Sequence, residues 1–359
     1  MKRRWKLVLG GLGAVAVSAL APIVYIESAC TAPHAGLNPA APYRSVMPGA
    51  AGRRPEARTW LTYPEWHIVY SADSFGRYLA ANPPSGFGYW RQITGFWSGL
   101  CAVNRAANAS PGGGDARVML YTIGLSFAAE MLVKAAYENV FGRLTEWIGG
   151  WRSADDRHAA RVQQSYGAFM HETPWYRFPF GEALSGLWAT SEPDAHLRHW
   201  ERRFALSLEY GGKAAYAGLI GWASGAALGR DELSLRFVAR AAPEAVAAVD
   251  RRLRPVARLG GGMVVVEAPR YAQFTEVLLR LAAAQVELVE IAGNDDIFLT
   301  VLVPEGRGAP AGAVQLMDME LDDRPGWRRL GLAAKVPSLL PLLRAVRAGG
   351  GEIEHVYDY

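Results

Sequence analysis

The chain has 359 residues, half of them hydrophobic and a fifth charged, which excludes wholesale disorder and leaves a sizeable core for about two domains. Its net charge of +4 owes much to Lys2, Arg3, Arg4 and Lys6. The remaining body is close to neutral, so no basic face is expected and nucleic acid is excluded as a partner.

Leu7 to Ile26 is uncharged and apolar over roughly 20 residues, the length that crosses a bilayer core. The basic cluster before it and the lack of one after it place the amino terminus in the cytoplasm and the body outside. Three readings compete. An uncleaved transmembrane anchor over residues 1–28 is favoured. A cleaved secretory signal has small residues in Ala19-Leu20-Ala21, but Pro22 would follow the cut. A lipoprotein would be modified at Cys30, yet Glu27 stands where an aliphatic residue is usual. All three put the body beyond the inner membrane, as a single-pass inner-membrane protein with a periplasmic body in the favoured case. In that oxidising space Cys30 and Cys101 are disulfide candidates; the alternative is a free Cys101 on an apolar helix face.

Residues 29–58 are rich in Pro, Ala and Gly and predict a tether or an extended arm on the surface. A helical domain is expected over 59–230. Thr62-Tyr63-Pro64-Glu65 fits a capping box, which is the plainer role for Glu65. Over 85–108, Trp90, Ile93, Phe96, Trp97, Leu100 and Cys101 recur at three and four, an amphipathic helix. Asp115 to Gly150 predicts one long helix, or two hinged near Gly124. Its first half is almost wholly apolar from Val118 to Ala129, so that half is expected to be buried on all sides. Glu130, Lys134 and Glu138 then form one charged stripe. Ser153 starts another helix, and Glu192-Pro193 opens one carrying Leu197, Trp200, Phe204 and Leu208. All but Trp5 and Trp327 of the twelve tryptophans fall within this domain. Trp90, Trp97, Trp147, Trp175 and Trp200 predict an aromatic core, or a belt where the domain rests on lipid.

From residue 231 short strands replace helical periodicity. Leu233–Arg240, Met263–Glu267, Val314–Leu321, Arg328–Val336 and Glu352–Tyr359 read as strands, and Pro243–Leu253, Tyr271–Ala284 and Pro337–Arg347 as helices. Val286–Ile291 and Ile297–Val303 read as a hairpin across residues 292–296. From Met263 the order fits a βαββαβ plan with an extra strand pair. The expected class is therefore α+β: an anchor helix, a mainly helical domain, and a ferredoxin-like α/β sandwich domain over 231–359.

No P-loop, HExxH, CxxC, GxSxG or EF-hand loop is present. What remains is a loose polar set on apolar elements: His67, Glu130, Tyr137, Glu138, His171, Glu172 and Arg177. Glu130, Glu138, His171 and Glu172 are the catalytic candidates. His67, Glu130, Glu138 and His171 are the metal candidates, with no cofactor specified. The competing reading is structural, with Lys134 pairing Glu130 and Glu138.

The strings TYPEWHIVY (62–70), YENVFGRLTEW (137–147), PWYRFPF (174–180) and WERRFALSLEYGGKAAY (200–216) resemble an uncharacterised family of bacterial membrane-anchored proteins, over residues 59–220. The resemblance implies an envelope location and transfers no residue roles. Two functions follow. The favoured one is binding or assembly at the inner-membrane surface, held there by the amino-terminal helix and open to a protein partner. The rival is an envelope enzyme using the carboxylate and histidine cluster, with or without a metal. Convergence of those side chains on one solvent-reachable pocket separates the two.

Overall fold

The structure is a computed structural model that describes residues 20–37, 43–50, 52–55, 57–108, 117–191, 196–223 and 234–358. Most of the expected span Leu7–Ile26 lies outside the described residues, as do the expected helix starts at Asp115 and Glu192 and the expected boundary at 230. From Leu20 the chain is helical in α1 (Leu20–Ala29).

Helix α2 (Ala57–Leu61) runs into α3 (Tyr63–Leu79). The expected capping box does not form. Thr62 is itself helical (φ −78°, ψ −24°), its N–H continues the ladder to Arg58 O, and its hydroxyl donates to the same carbonyl. A residue inside a continuing helix has no orphan amides to serve. Helix α4 (Tyr89–Ala107) buries Ile93, Phe96, Trp97, Leu100 and Cys101, while Trp90 of the same stripe is exposed.

Helix α5 (Arg117–Tyr137), a π turn (Glu138–Gly142) and α6 (Arg143–Gly149) form one continuous rod. There is no hinge at Gly124: a Cβ there would meet the Phe96 ring at 2.4 Å, so the glycine lets α4 and α5 close together. The rod is not buried on all sides, as its composition predicts. Only 28% of its most apolar window is covered, and Val118, Met119 and Val133 lie open. It is long and apolar enough to cross a membrane. Helix α7 (Ala154–Met170) starts at Ser153 with a complete capping box to Asp156. Helices α8 (Phe180–Trp188) and α9 (His196–Ala223) complete the helical part.

Beyond it the chain is mixed, with two antiparallel sheets. In the first, β1 (Ser234–Arg240), α10 (Pro243–Val249), β2 (Arg254–Leu259), β3 (Met263–Pro269), α11 (Ala272–Ala283) and β4 (Glu287–Ile291) give the strand order β2-β3-β1-β4. In the second, β5 (Asp296–Pro304), β6 (Ala313–Glu320), β7 (Trp327–Lys335), α12 (Val336–Ala348) and β8 (Glu352–Tyr357) give β6-β7-β5-β8. Each sheet thus has the order second-third-first-fourth, and the second has a loop where the first has α10. Two expectations are corrected. The strands form two sheets rather than one unit from Met263, because β1 belongs to the first set and pairs with β3 along its whole length. The strands flanking residues 292–296 are not a hairpin. The turn is real, with positive φ at Ala292 and Gly293, but Ile291 pairs with Phe237 and Ile297 with Ala334, in different sheets.

Side-chain alternation explains the packing. Leu235, Phe237 and Ala239 of β1 and Ile297, Leu299 and Val301 of β5 all enter one core with α10, α11 and α12. The opposite face of the second sheet carries Phe298, Met317, Ala333 and Tyr357, which share a core with α2, α3 and α4. Thr59 fastens this join, donating to Tyr357 O (2.6 Å) and accepting from Phe298 N–H (3.0 Å). On the first sheet, the opposite face is met by the arm: Met47 is buried against Val238 and Val265. Buried Glu290 holds it by accepting from Ser45 Oγ and from the amides of Val46 and Met47 (2.8 to 3.0 Å).

Candidate functional site

Helix α9 runs antiparallel to α5 and α6, and the charges of both helices meet along the seam. Lys213 pairs with Glu130 (2.9 Å) and Glu209 (3.2 Å); Lys134 pairs with Glu209 (2.8 Å) and Glu130 (3.1 Å). Further along, Arg202 grips Glu138 with two bonds of 2.9 and 3.0 Å and also binds Glu201. Buried Arg198 reaches Asp156 (2.8 Å), Glu201 (3.2 Å), Thr145 Oγ1 (3.0 Å) and Gly142 O (3.2 Å). The π turn creates the space for this. A Cβ on Gly142 would stand 2.2 Å from Glu138 Oε2. A cavity of about 50 Å³ beside the seam is lined by Lys134, Glu138, Asp156, Arg202 and Glu209.

The sequence-predicted residues do not converge. Glu130 and Glu138 are consumed by the seam. His171 pairs through Nε2 with Asp73 and lies edge-on to Trp66, while Glu172 and Arg177 are exposed. Tyr137 donates to Glu201 (2.8 Å). His67 is in another place altogether, with Nε2 3.0 Å from Gln92 O and Nδ1 3.4 Å from the Tyr63 hydroxyl. Among the described residues no group of three or more His, Cys, Asp or Glu is placed to hold a metal ion. The Glu130 and Glu138 carboxylates are each held by Lys or Arg within this network, which leaves them no open position for metal or proton chemistry.

His67 instead borders a cleft of about 270 Å³ between α3, α4 and the strands β6 and β7, with Tyr70, Gln92, Met319, Asp322 and Arg329. Burial, with the Arg329 cation adding to it, pushes His67 down to about 3, so it is neutral at pH 7. Burial also raises the Asp322 carboxyl, which accepts from Gln92 (2.7 Å) and has Arg91 at 2.6 Å. Arg329 is fixed by two 2.7 Å bonds to Glu354 and lies over the Tyr70 ring. Such a cleft can receive a small polar group. Ser74, which also lines it, donates its hydroxyl to the Asp323 carboxylate (2.6 Å).

Sequence reasoning missed Arg198, Glu201, Arg202, Glu209 and Lys213. Their recurrence every three or four residues along α9 is the signal that was available. At the other end of the helical part, α1 is fastened to the body. Cys30 and Cys101 are joined, with Cα atoms 5.2 Å apart, and Glu27 meets the Tyr121 hydroxyl and Arg117. Asn104 Nδ2 donates to Cys30 O (3.0 Å) and Arg105 to Ala29 O (2.9 Å). No protein-family model, curated protein or solved structure matches the chain.

Proposed function

We propose that the chain is a single-pass inner-membrane protein whose body acts in the periplasm by binding or assembly at the membrane surface. The observation that carries this is the fastening of α1 to the body. The apolar sequence from Leu7 ends in a helix whose last turn is cross-linked and hydrogen-bonded to α4 and α5. A disulfide of that kind fits an oxidising compartment. A body locked at the mouth of its own anchor fits a role at the membrane surface rather than a free domain on a tether. The pairing of Glu130 and Glu138 with Lys and Arg, and the hydrogen bond that ties His171 to Asp73, weigh against the enzymatic alternative.

The same reading assigns a ferredoxin-like plan to each sheet, the second lacking its first helix; the shared second-third-first-fourth order supports it. That plan hosts many functions and adds no activity. The test is fractionation of cells with thiols trapped at lysis. The full chain is expected in the inner-membrane fraction, open to protease from the periplasmic side, with neither cysteine alkylated. A chain in the soluble fraction, or two alkylated thiols, would overturn the proposal.

A further inference from the structure

The seam between α5–α6 and α9 has an outer side, and that side is apolar. On the rod, Val133, Val140, Phe141, Leu144 and Trp147 are exposed, Trp147 at 84%. On α9, Trp200, Phe204, Leu208 and Leu219 are exposed, each by about three-fifths. With Ala136 on the rod and Gly212 and Tyr216 on α9, which are exposed too, they recur at three- and four-residue spacings, so each helix shows one continuous stripe without charges. The ion pairs fix the two helices side by side: Arg198 lies over Gly149, Arg202 binds Glu138, and Lys213 binds Glu130. The polarity of this pair is therefore inverted, with charges inside and large apolar side chains outside. In water that arrangement is unfavourable. Each Leu or Phe left open in this way forgoes the burial free energy that a core position would supply.

We infer that this two-helix face contacts the acyl chains of the phospholipid bilayer, so the body is set into the membrane and does not merely stand on it. The inference rests on the anchored reading above and adds a second lipid contact to it. Three observations point to lipid rather than to a protein partner. First, the small polar side chains on the exposed face of the rod turn inward on their own helix. Thr122 donates to Val118 O, Ser126 to Thr122 O and Asn139 to Ala135 O (2.8 to 2.9 Å). Groups facing hydrocarbon must find partners within the segment, and these need none from outside it. Second, the face is continuous with the anchor. The rod begins where Arg117 and Tyr121 meet Glu27, and the neighbouring turns of α1 expose Leu20 and Val24. Third, ionisable residues within a membrane-set bundle face its interior and pair, as Glu130, Lys134, Glu209 and Lys213 do.

Nitroxide labels placed singly at Val133→Cys, Val140→Cys and Phe204→Cys in the full chain test this, with Arg258→Cys on the exposed edge strand β2 as the aqueous reference. The chain is reconstituted into phosphatidylethanolamine–phosphatidylglycerol vesicles, and collision with oxygen is compared with collision with a water-soluble nickel chelate. The three helix labels are expected to collide with oxygen and to be shielded from nickel at least tenfold more than the reference label. Labels open to nickel like the reference would overturn the inference while leaving the anchored reading intact. Labels shielded from both agents would also overturn it, because protein and not lipid would then cover the face. A chain that fails to float with the vesicles would sink the anchored reading itself. The three positions are exposed, so the variants retain the core, and circular dichroism of each verifies this.

Discussion

Arg202 shows how much of this protein's interior depends on single cations. Its guanidinium is almost fully buried and answers both Glu138 and Glu201. Replacing it with leucine leaves the buried Glu138 carboxylate without its cation and Glu201 with Arg198 alone, and removing one member of a buried pair costs about 3–5 kcal/mol. Arg202→Leu is therefore expected to lower the melting temperature of the detergent-solubilised chain sharply or to prevent its recovery. Glu130→Gln is a milder change. The Glu130 side chain is 39% exposed, and Lys134 and Lys213 both keep Glu209, so a loss of up to about 1 kcal/mol is expected. Thermal scans of the two variants decide the order. A Glu130→Gln chain as damaged as Arg202→Leu would mean that Glu130 has a role the pairing does not explain. The pairing of Glu130 with Lys134 was legible in the sequence from the i, i+4 spacing. Glu209 and Lys213 were not, because a partner on another helix leaves no mark at short range.

Helix α9 carries two stripes, one of Leu197, Trp200, Phe204 and Leu208, which periodicity gave, and one of Arg198, Glu201, Arg202 and Glu209, which it did not. Periodicity separates the faces of a helix but does not say which one turns inward; the environment decides. On α9 the apolar stripe lies exposed, and on the rod the expectation of burial held in part, with Leu120, Phe127, Met131 and Ala135 in the core and Val118, Val133 and Trp147 open. Where a helix packs on a sheet the expectation held: α4 buries Phe96, Trp97 and Leu100. The join of α3 to the second sheet also makes a prediction about pH. His67 is bordered by Tyr63, Gln92 and Arg329; His355 stacks on Trp66 at 3.8 Å, with Thr275, His171 and Tyr357 around it. Burial pushes both imidazoles from 6.5 down to about 3, with Arg329 adding to it at His67 and His171 at His355. The unfolded chain takes up these two protons below pH 6.5, and the folded chain refuses them until about pH 3. Stability is therefore full above pH 6.5 and is lost as pH falls from 6.5 towards 3. Melting temperatures between pH 7.5 and 4.5 should fall with acidification, and His355→Phe should flatten that slope. An unchanged slope in both His355→Phe and His67→Phe would show that other groups set the acid response.

For the whole molecule, the question is whether the two sheets are an independent body. Their inner faces and α10, α11 and α12 share one core that needs nothing from the helical part. Helix α11 and helix α12 pack on each other, with Arg344 donating to Ala282 O (2.9 Å), so the two sheets are held as a unit. The outer face of the second sheet is different. Phe298, Met317, Ala333 and Tyr357 are covered by α2, α3 and α4, and Thr59 supplies the amide of Phe298 with its acceptor. Gly331 lies at the centre of that face, where a Cβ would come within 2.5 Å of Met317 and 2.9 Å of Phe298, so the surface is shaped for close packing. A fragment of residues 231–359 keeps the first core, loses the second, and also loses the arm that covers Val238 and Val265 and binds Glu290. Its circular dichroism should be mixed α/β and its melt cooperative. Large apolar surfaces seek cover, so it should also self-associate and bind a hydrophobic dye in proportion to that uncovered face. Sizing chromatography with dye binding makes the comparison, and Phe298→Ser with Met317→Ser in the fragment should restore a monomer without dissolving the inner core. A wild-type fragment that is monomeric and dye-silent would mean that the sheets do not depend on α2–α4 for cover. A fragment with no cooperative melt would mean that the inner core, apolar as it is, does not stand without the helices.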